Sequence, residues 1–205
     1  MYNIKTIKTE NELNQVFSFI SKLFYDDAKE NSEYYYPMDE RLEEMKKTLE
    51  IDNSFLLYIE DNKKIIAALT GKNINTTEQK ITIGVMAVDK EYRRKGIAKE
   101  LISEFEKRCL KKNIKHIDLG ARFRACPLYL SMNYIPSLMI QVFGSTTIDD
   151  IKRINTYNFK EKCLWQDNNY GFIIYEIDEV REEYIKWFEK NIEKSHAQYI
   201  FEKDL

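Results

Sequence analysis

Apolar positions along the chain repeat first every two residues and then every three or four. Tyr2, Ile4 and Thr6 alternate with Asn3, Lys5 and Ile7, which predicts a short strand over 2–8. Thr9 and Glu12 have capping-box spacing and open a helix with Leu13, Val16, Phe17, Ile20 and Phe24 on one face. Pro37 disfavours a helical Tyr36, so Tyr34-Tyr35-Tyr36-Pro37 reads as a turn or loop. Helical spacing resumes over 39–50 through Leu42, Met45 and Leu49. Strands are predicted at 55–59 and 64–69, joined by a hairpin turn at Asp61-Asn62-Lys63. A third strand covers 80–88, where Gly84 marks a bulge or a close backbone approach.

A long helix starts near Gly96, with Ile97, Leu101, Phe105 and Cys109 four residues apart. A strand follows over 114–121, then a short helix opened by Pro127 and running through Leu130. A strand at 138–143, a short helix at 147–155 and a hairpin around 167–169 come next, with 171–176 as a closing strand. Val180, Tyr184, Trp187, Phe188 and Ile192 then share a helical face, and the amphipathic tail is read through 201. Strands and helices mix without strict alternation, so an α+β or mixed-sheet α/β domain is expected.

Composition narrows the choice. The 205 residues are 43% apolar and 13% aromatic, which excludes general disorder. One domain over 1–205 is expected, with its core at about 1–177 and a helical extension over 178–205. Lys and Arg number 32 against 34 Asp and Glu, a net charge of −2. With a pI near 5.9, nonspecific nucleic-acid binding is not expected. No apolar run reaches about 18 residues, so no membrane span is expected, and Met1 to Lys5 do not begin a secretory signal. Cys109, Cys126 and Cys163 form no C-x-x-C pair, and His116 and His196 stand apart from them as structural residues. No metal site and a cytoplasmic address follow as expectations.

The chemistry concentrates in Val85 to Ala98, VMAVDKEYRRKGIA. An apolar strand ends at Val88, a charged turn follows, and Arg93-Arg94-Lys95-Gly96-Ile97-Ala98 opens a helix. The first turn of a helix leaves backbone N–H groups without partners and carries partial positive charge. Gly96 and Ala98 let a ligand approach the main chain, and three cations beside those amides suit a pyrophosphate. The plainer reading is a solvated basic turn that caps a helix.

At this point the chain resembles the GNAT superfamily of N-acetyltransferases. Arg93, Gly96 and Ala98 match its Q/R-x-x-G-x-G/A acetyl-CoA motif. Ala125-Cys126-Pro127-Leu128-Tyr129-Leu130-Ser131-Met132-Asn133-Tyr134 is similar to its A-x-x-L-Y-x-x-x-G-F segment. The resemblance is specific over 80–134 and extends in element order from residue 2 to about 143. It implies a central mixed, mostly antiparallel sheet with a splayed strand pair at the acetyl-CoA cleft. It places the pantetheine arm against Met86, Ala87 and Val88. The pyrophosphate would sit on amides from Arg93 through Ala98, Ile97 included, with Arg94 and Lys95 supplementing them. Tyr129 matches the tyrosine that protonates the coenzyme A thiolate, a role a phenol with pKa about 10 can fill.

Departures from the pattern are informative. Arg122 stands where many members have a cofactor-contacting Asn, and Asn133 replaces a helix-ending Gly but tolerates the left-handed conformation. The 81–86 strand carries no acid to act as general base. Asp118, Glu33 and Asp39 are the candidates, and a water chain or solvent also suffices. Tyr34 to Tyr36 form either an acceptor-pocket wall or a plug over the core. Cys126 raises the competing route through an acetyl-cysteine. The expected activity is acetyl transfer from acetyl-CoA to a primary amine of a small-molecule or peptide acceptor, directly in a ternary complex. The alternatives are a noncatalytic acyl-CoA sensor and a nucleotide-phosphate binder of another fold. The aromatic C-terminal region packs either on its own domain or on a second copy in a homodimer.

Overall fold

The computed structural model describes residues 2–31 and 38–205. Glu33 and the run Tyr34 to Pro37 lie outside the described residues. Among the described residues, nine strands and six α-helices confirm the α+β class, and the strand pairs are mostly antiparallel. The chain divides into two compact units, one of residues 1–117 with 204–205, the other of residues 118–203.

In the first unit, β1 (Ile4–Thr6), β2 (Leu56–Asp61), β3 (Lys64–Asn75) and β4 (Lys80–Val88) pair antiparallel in that order. The predicted capping box forms at α1 (Glu10–Asn31): Glu12 N–H donates to Thr9 Oγ1 at 3.2 Å, and Thr9 N–H donates to Glu12 Oε2 at 3.1 Å. Leu13, Val16 and Ile20 of α1 and Met45 of α2 (Asp39–Asp52) bury against Leu56, Tyr58, Ala68, Val85 and Ala87. The opposite face takes α3 (Ile97–Lys111), whose Phe105 meets Phe55 edge-on at 5.6 Å. The β2–β3 turn has Asn62 and Lys63 at φ 49° and 63°, the left-handed pair of a tight hairpin.

Gly84 is the extra residue of a bulge in β4, because Thr70 pairs with Val85 while the next residue, Gly71, pairs with Ile83. Asp89 N–H donates to Ile66 O at 2.8 Å, just past the Ala67–Val88 and Ala68–Ala87 pairs. Bonded and non-bonded pairs alternate in an antiparallel ladder. Ala87 therefore directs its N–H and C=O to β3, while Met86 and Val88 turn theirs away from it. The bulge and this alternation fix which main-chain groups the end of β4 presents.

In the second unit, β6 (Ile135–Phe143) pairs with β9 (Ser195–Asp204) on one side and β8 (Tyr170–Glu176) on the other, and β7 (Lys160–Gln166) pairs with β8. β5 (His116–Ala121) begins the order that continues through β9. Phe188 of α6 (Glu182–Asn191) stacks on Tyr175 at 6.2 Å, and Trp187 Nε1 donates to Ile154 O at 3.1 Å, just past α5 (Ile148–Arg153). The 178–205 reading needs correction here: the helix ends at Asn191, and His196 lies on β9. Ala197, Tyr199 and Phe201 alternate into the core opposite β6, a pairing with a distant segment that helical spacing up to Ile192 conceals. Strand readings at 2–8, 114–121 and 138–143 keep their type with shifted ends.

Gly71 lies where β3, α3 and Phe55 converge. A Cβ there would sit 2.8 Å from Ile81 Cδ1, 3.0 Å from Phe55 Cβ and 3.1 Å from Phe105 Cζ. Gly71→Ala is expected to lower unfolding free energy by about 1–3 kcal/mol in urea melts. An unchanged midpoint would show that this layer has room to spare.

Candidate functional site

The segment from Val88 to Lys99 is built to leave main-chain donors bare. Asp89 starts it: its carboxylate takes Lys64 Nζ at 2.8 Å and Glu91 N–H at 3.0 Å. Tyr92 donates its hydroxyl to Asp61 at 2.9 Å and N–H to Asp89 O at 2.9 Å. Lys95 Nζ stands 4.9 Å from the Tyr92 ring centroid. Arg93 donates Nε to Val88 O at 3.0 Å and Nη2 to Asp27 Oδ2 at 2.9 Å, and its N–H reaches Lys90 O at 3.4 Å. Arg94 and Gly96 both adopt positive φ, 63° and 81°.

Gly96 is the N-cap of α3 and has no side chain to cap it. Glu100 N–H is the first to bond back, to Gly96 O at 3.0 Å. Among the described residues nothing accepts from the N–H groups of Arg94 through Lys99. A Cβ on Gly96 would meet nothing within 4 Å. The result is a row of donors at the positive end of a 15-residue helix with open space before it, suited to a phosphate.

The predicted residues therefore divide. Arg94, Lys95, Gly96, Ile97 and Ala98 keep their amides available, and the exposed Arg94 and Lys95 side chains add charge. Arg93 is different: its side chain, though exposed, is bonded to Val88 O and Asp27, and its amide reaches Lys90 O, so it ties the turn to the rest of the unit. Of the strand residues, Met86 turns its main-chain groups away from β3, Ala87 is buried, and the Val88 carbonyl is taken by Arg93.

Tyr129 lies on α4 (Cys126–Leu130) in the second unit, 4% exposed. Its ring meets Tyr134 at 5.8 Å and Phe201 at 5.4 Å. Asn133 sits at φ 62°, with Tyr134 N–H returning to Tyr129 O and Asn133 N–H to Leu130 O, both at 3.1 Å. That is a Schellman end, so Asn performs the capping task of the family Gly. Burial pushes the Tyr129 phenol well above its ordinary value, with the nearby Cys126 adding to the effect. It stays protonated throughout the physiological range.

Cys126 is buried, its thiol is pushed up to about 12, and it donates to Arg122 O at 3.5 Å. A thiol so seldom ionised is a poor nucleophile, which removes the support for an acetyl-cysteine route. Asp39 is exposed in the first turn of α2, and Asp118 is half-buried on β5. His116 and His196 each pair with a carboxylate, Asp204 at 2.8 Å and Glu189 at 3.2 Å. Among the described residues no cluster of three or more His, Cys, Asp or Glu can hold a metal, and no helix is long and apolar enough to cross a membrane.

One site residue escaped the sequence reading. Asp27 is 8% exposed on α1 and receives Arg93. The signal was present: Asp27 follows Ile20 by seven residues and Phe24 by three, which puts an acid on the buried stripe.

Comparison with known proteins identifies the family. The acetyltransferase (GNAT) family model matches residues 18–134, more than half of the chain. The chain belongs to that family. Acetyl-CoA is accordingly its acetyl donor, and the protein is an acetyltransferase. A GNAT-family acetyltransferase from Staphylococcus aureus Mu50 aligns over 85% of this chain and 99% of its own, with 18% identity and a TM-score of 0.55. A Pyrococcus horikoshii protein assigned as an acetyltransferase aligns over 99% and 89%, with 14% identity and a TM-score of 0.56. N-acetylglutamate synthase from Neisseria gonorrhoeae, complexed with coenzyme A and N-acetylglutamate, aligns over 86% of this chain and 36% of its own, at 11% identity and a TM-score of 0.50. No curated protein matches the sequence.

Asp89 links the turn to acid stability. Hydrogen bonding from Lys64, then from Glu91 N–H, holds its carboxyl below the usual carboxylate value against the opposing effect of burial. A lowered native pKa stabilises the fold above the unfolded value near 3.8, and that contribution disappears as pH falls through the native value. Asp89→Asn should cost about 1 kcal/mol at pH 7 and progressively less as pH falls below 3.8, by denaturant melts across pH. A constant difference at all pH values would contradict this.

Proposed function

We propose that this acetyltransferase transfers the acetyl group to a primary amine of a small molecule or a peptide, directly from acetyl-CoA in a ternary complex. The observation that carries the donor half is the row of partnerless amides from Arg94 to Lys99 around an open Gly96. These amides grip the diphosphate, and the Met86 main chain on the edge of β4 turned away from β3 takes the pantetheine arm. The amine nitrogen attacks the thioester carbonyl carbon, the carbon–sulfur bond breaks, and Tyr129 gives its proton to the departing thiolate. The protonation state of Tyr129 supports this role, as does its place in the A-x-x-L-Y segment. β4 supplies no acid, so the amine loses its proton to a group off this strand or to solvent. Holding the two reactants together supplies most of the rate. We also propose a cytoplasmic setting, supported by three free cysteines.

The absence of an acid on β4 favours a second reading, an acyl-CoA sensor without turnover. Tyr129→Phe separates the two, because the ring keeps its packing on Tyr134 and Phe201. The enzyme reading expects kcat to fall by about 10² with coenzyme A affinity within twofold, by thiol release over an amine panel and by calorimetry. Wild-type protein that binds coenzyme A yet acetylates no amine in the panel would establish the sensor. Gly96→Val should weaken coenzyme A binding by about tenfold or more, since it puts a β-branched side chain at positive φ and fills the approach. Equal affinity in that variant would remove the diphosphate assignment.

A further inference from the structure

We propose that Asp27 is a positioning residue for the diphosphate of coenzyme A, acting through Arg93 and touching no substrate itself. This rests on the reading of residues 94–99 as the diphosphate cradle.

An acid is out of place where Asp27 sits. It lies four residues before the end of α1, where the helix dipole favours cations, and it is 8% exposed. The cations around it explain its presence. Arg93 Nη2 binds Oδ2 at 2.9 Å and Lys90 Nζ stands 3.7 Å from Oδ1. Lys90 also pairs with Glu30 one turn further along α1. Arg93 then reaches in the other direction, from Nε to Val88 O at 3.0 Å. One planar guanidinium thus joins α1 to the last residue of β4, with the start of the cradle between them. A lysine donates three N–H bonds from one nitrogen and lacks the rigid fork by which Nε and Nη2 hold two acceptors in fixed directions.

The consequence for the cradle is geometric. Arg94 holds a left-handed backbone conformation that is costly for a residue with a Cβ and persists only where its flanks are fixed, whereas Gly96 adopts its own freely. On the helix side, α3 is anchored by Ile97, Leu101 and Phe105 in the core. On the strand side, Arg93 is the residue immediately before Arg94, and its two side-chain bonds fix where the turn begins. Without Asp27 the guanidinium loses one of two anchors, and the amides beyond it lose their common aim. The ligand must then order them on binding, which lowers affinity. The effect should be confined to the part of the ligand that carries phosphate.

The test compares coenzyme A with pantetheine, which lacks the nucleotide and diphosphate, by calorimetry on the full chain. For Asp27→Ala the expected result is about a tenfold weaker coenzyme A affinity with pantetheine affinity unchanged. In turnover the KM for acetyl-CoA rises while kcat stays within twofold. Arg93→Lys should lose as much, and the double variant no more than either alone, because both cut one connection. Circular dichroism melts guard against trivial unfolding, and a melting temperature within a few degrees is expected because Arg93 has solvent available. Equal loss of both ligands would mark Asp27 as a general structural residue and overturn the proposal, as would additive effects in the double variant. Unchanged coenzyme A affinity in Asp27→Ala overturns it while leaving the cradle intact. Failure of the wild type to bind coenzyme A overturns the cradle and this proposal together.

Discussion

The start of α3 must remain uncapped by its own protein. Most helix N-termini satisfy a first-turn amide with a side-chain oxygen, and here the N-cap is a glycine at φ 81°. Leaving those donors bare is unfavourable unless a ligand or water accepts them. The turn is held open instead by bonds made elsewhere: Asp89 to Lys64, Tyr92 to Asp61, Arg93 to Asp27 and Val88. None of these tethers occupies the amides. The cations of the turn therefore have two jobs, since Arg93 is bonded to Asp27 and Val88 and holds the backbone while the Arg94 and Lys95 side chains extend beside it.

Burial acts on two reactive side chains of α4 in opposite chemical senses. It raises the pKa of both the Cys126 thiol and the Tyr129 phenol by disfavouring their ions. For the thiol this suppresses the nucleophile. For the phenol it preserves the proton that an acid must give. The same low-polarity surroundings thus disfavour a cysteine nucleophile and suit the acid role proposed for Tyr129.

Much of this was legible before any coordinates. The Thr9–Glu12 capping box, the hairpin at Asn62-Lys63 and the turn into α3 all depend on residues close in sequence. Local hydrogen bonds and φ preferences decide such features, so residue type suffices. The strand β9 was missed because its partner β6 lies more than 50 residues away. Its alternation of Ala197, Tyr199 and Phe201 is plain once β6 is beside it, and ambiguous after a helical stripe that runs to Ile192.

Sequence alone determined the family and the acetyl donor, and it pointed to the turn proposed as the donor cradle, because the strand, the charged turn and the helix start are contiguous and their chemistry is that of the backbone. Only the tertiary structure decided which cations serve that cradle and how. Arg93 and Arg94 are neighbours of the same type, yet one meets a carboxylate 66 positions away and the other meets solvent. That difference arises from where α1 packs, since an ion pair between distant segments depends on the whole fold that brings them within 3 Å.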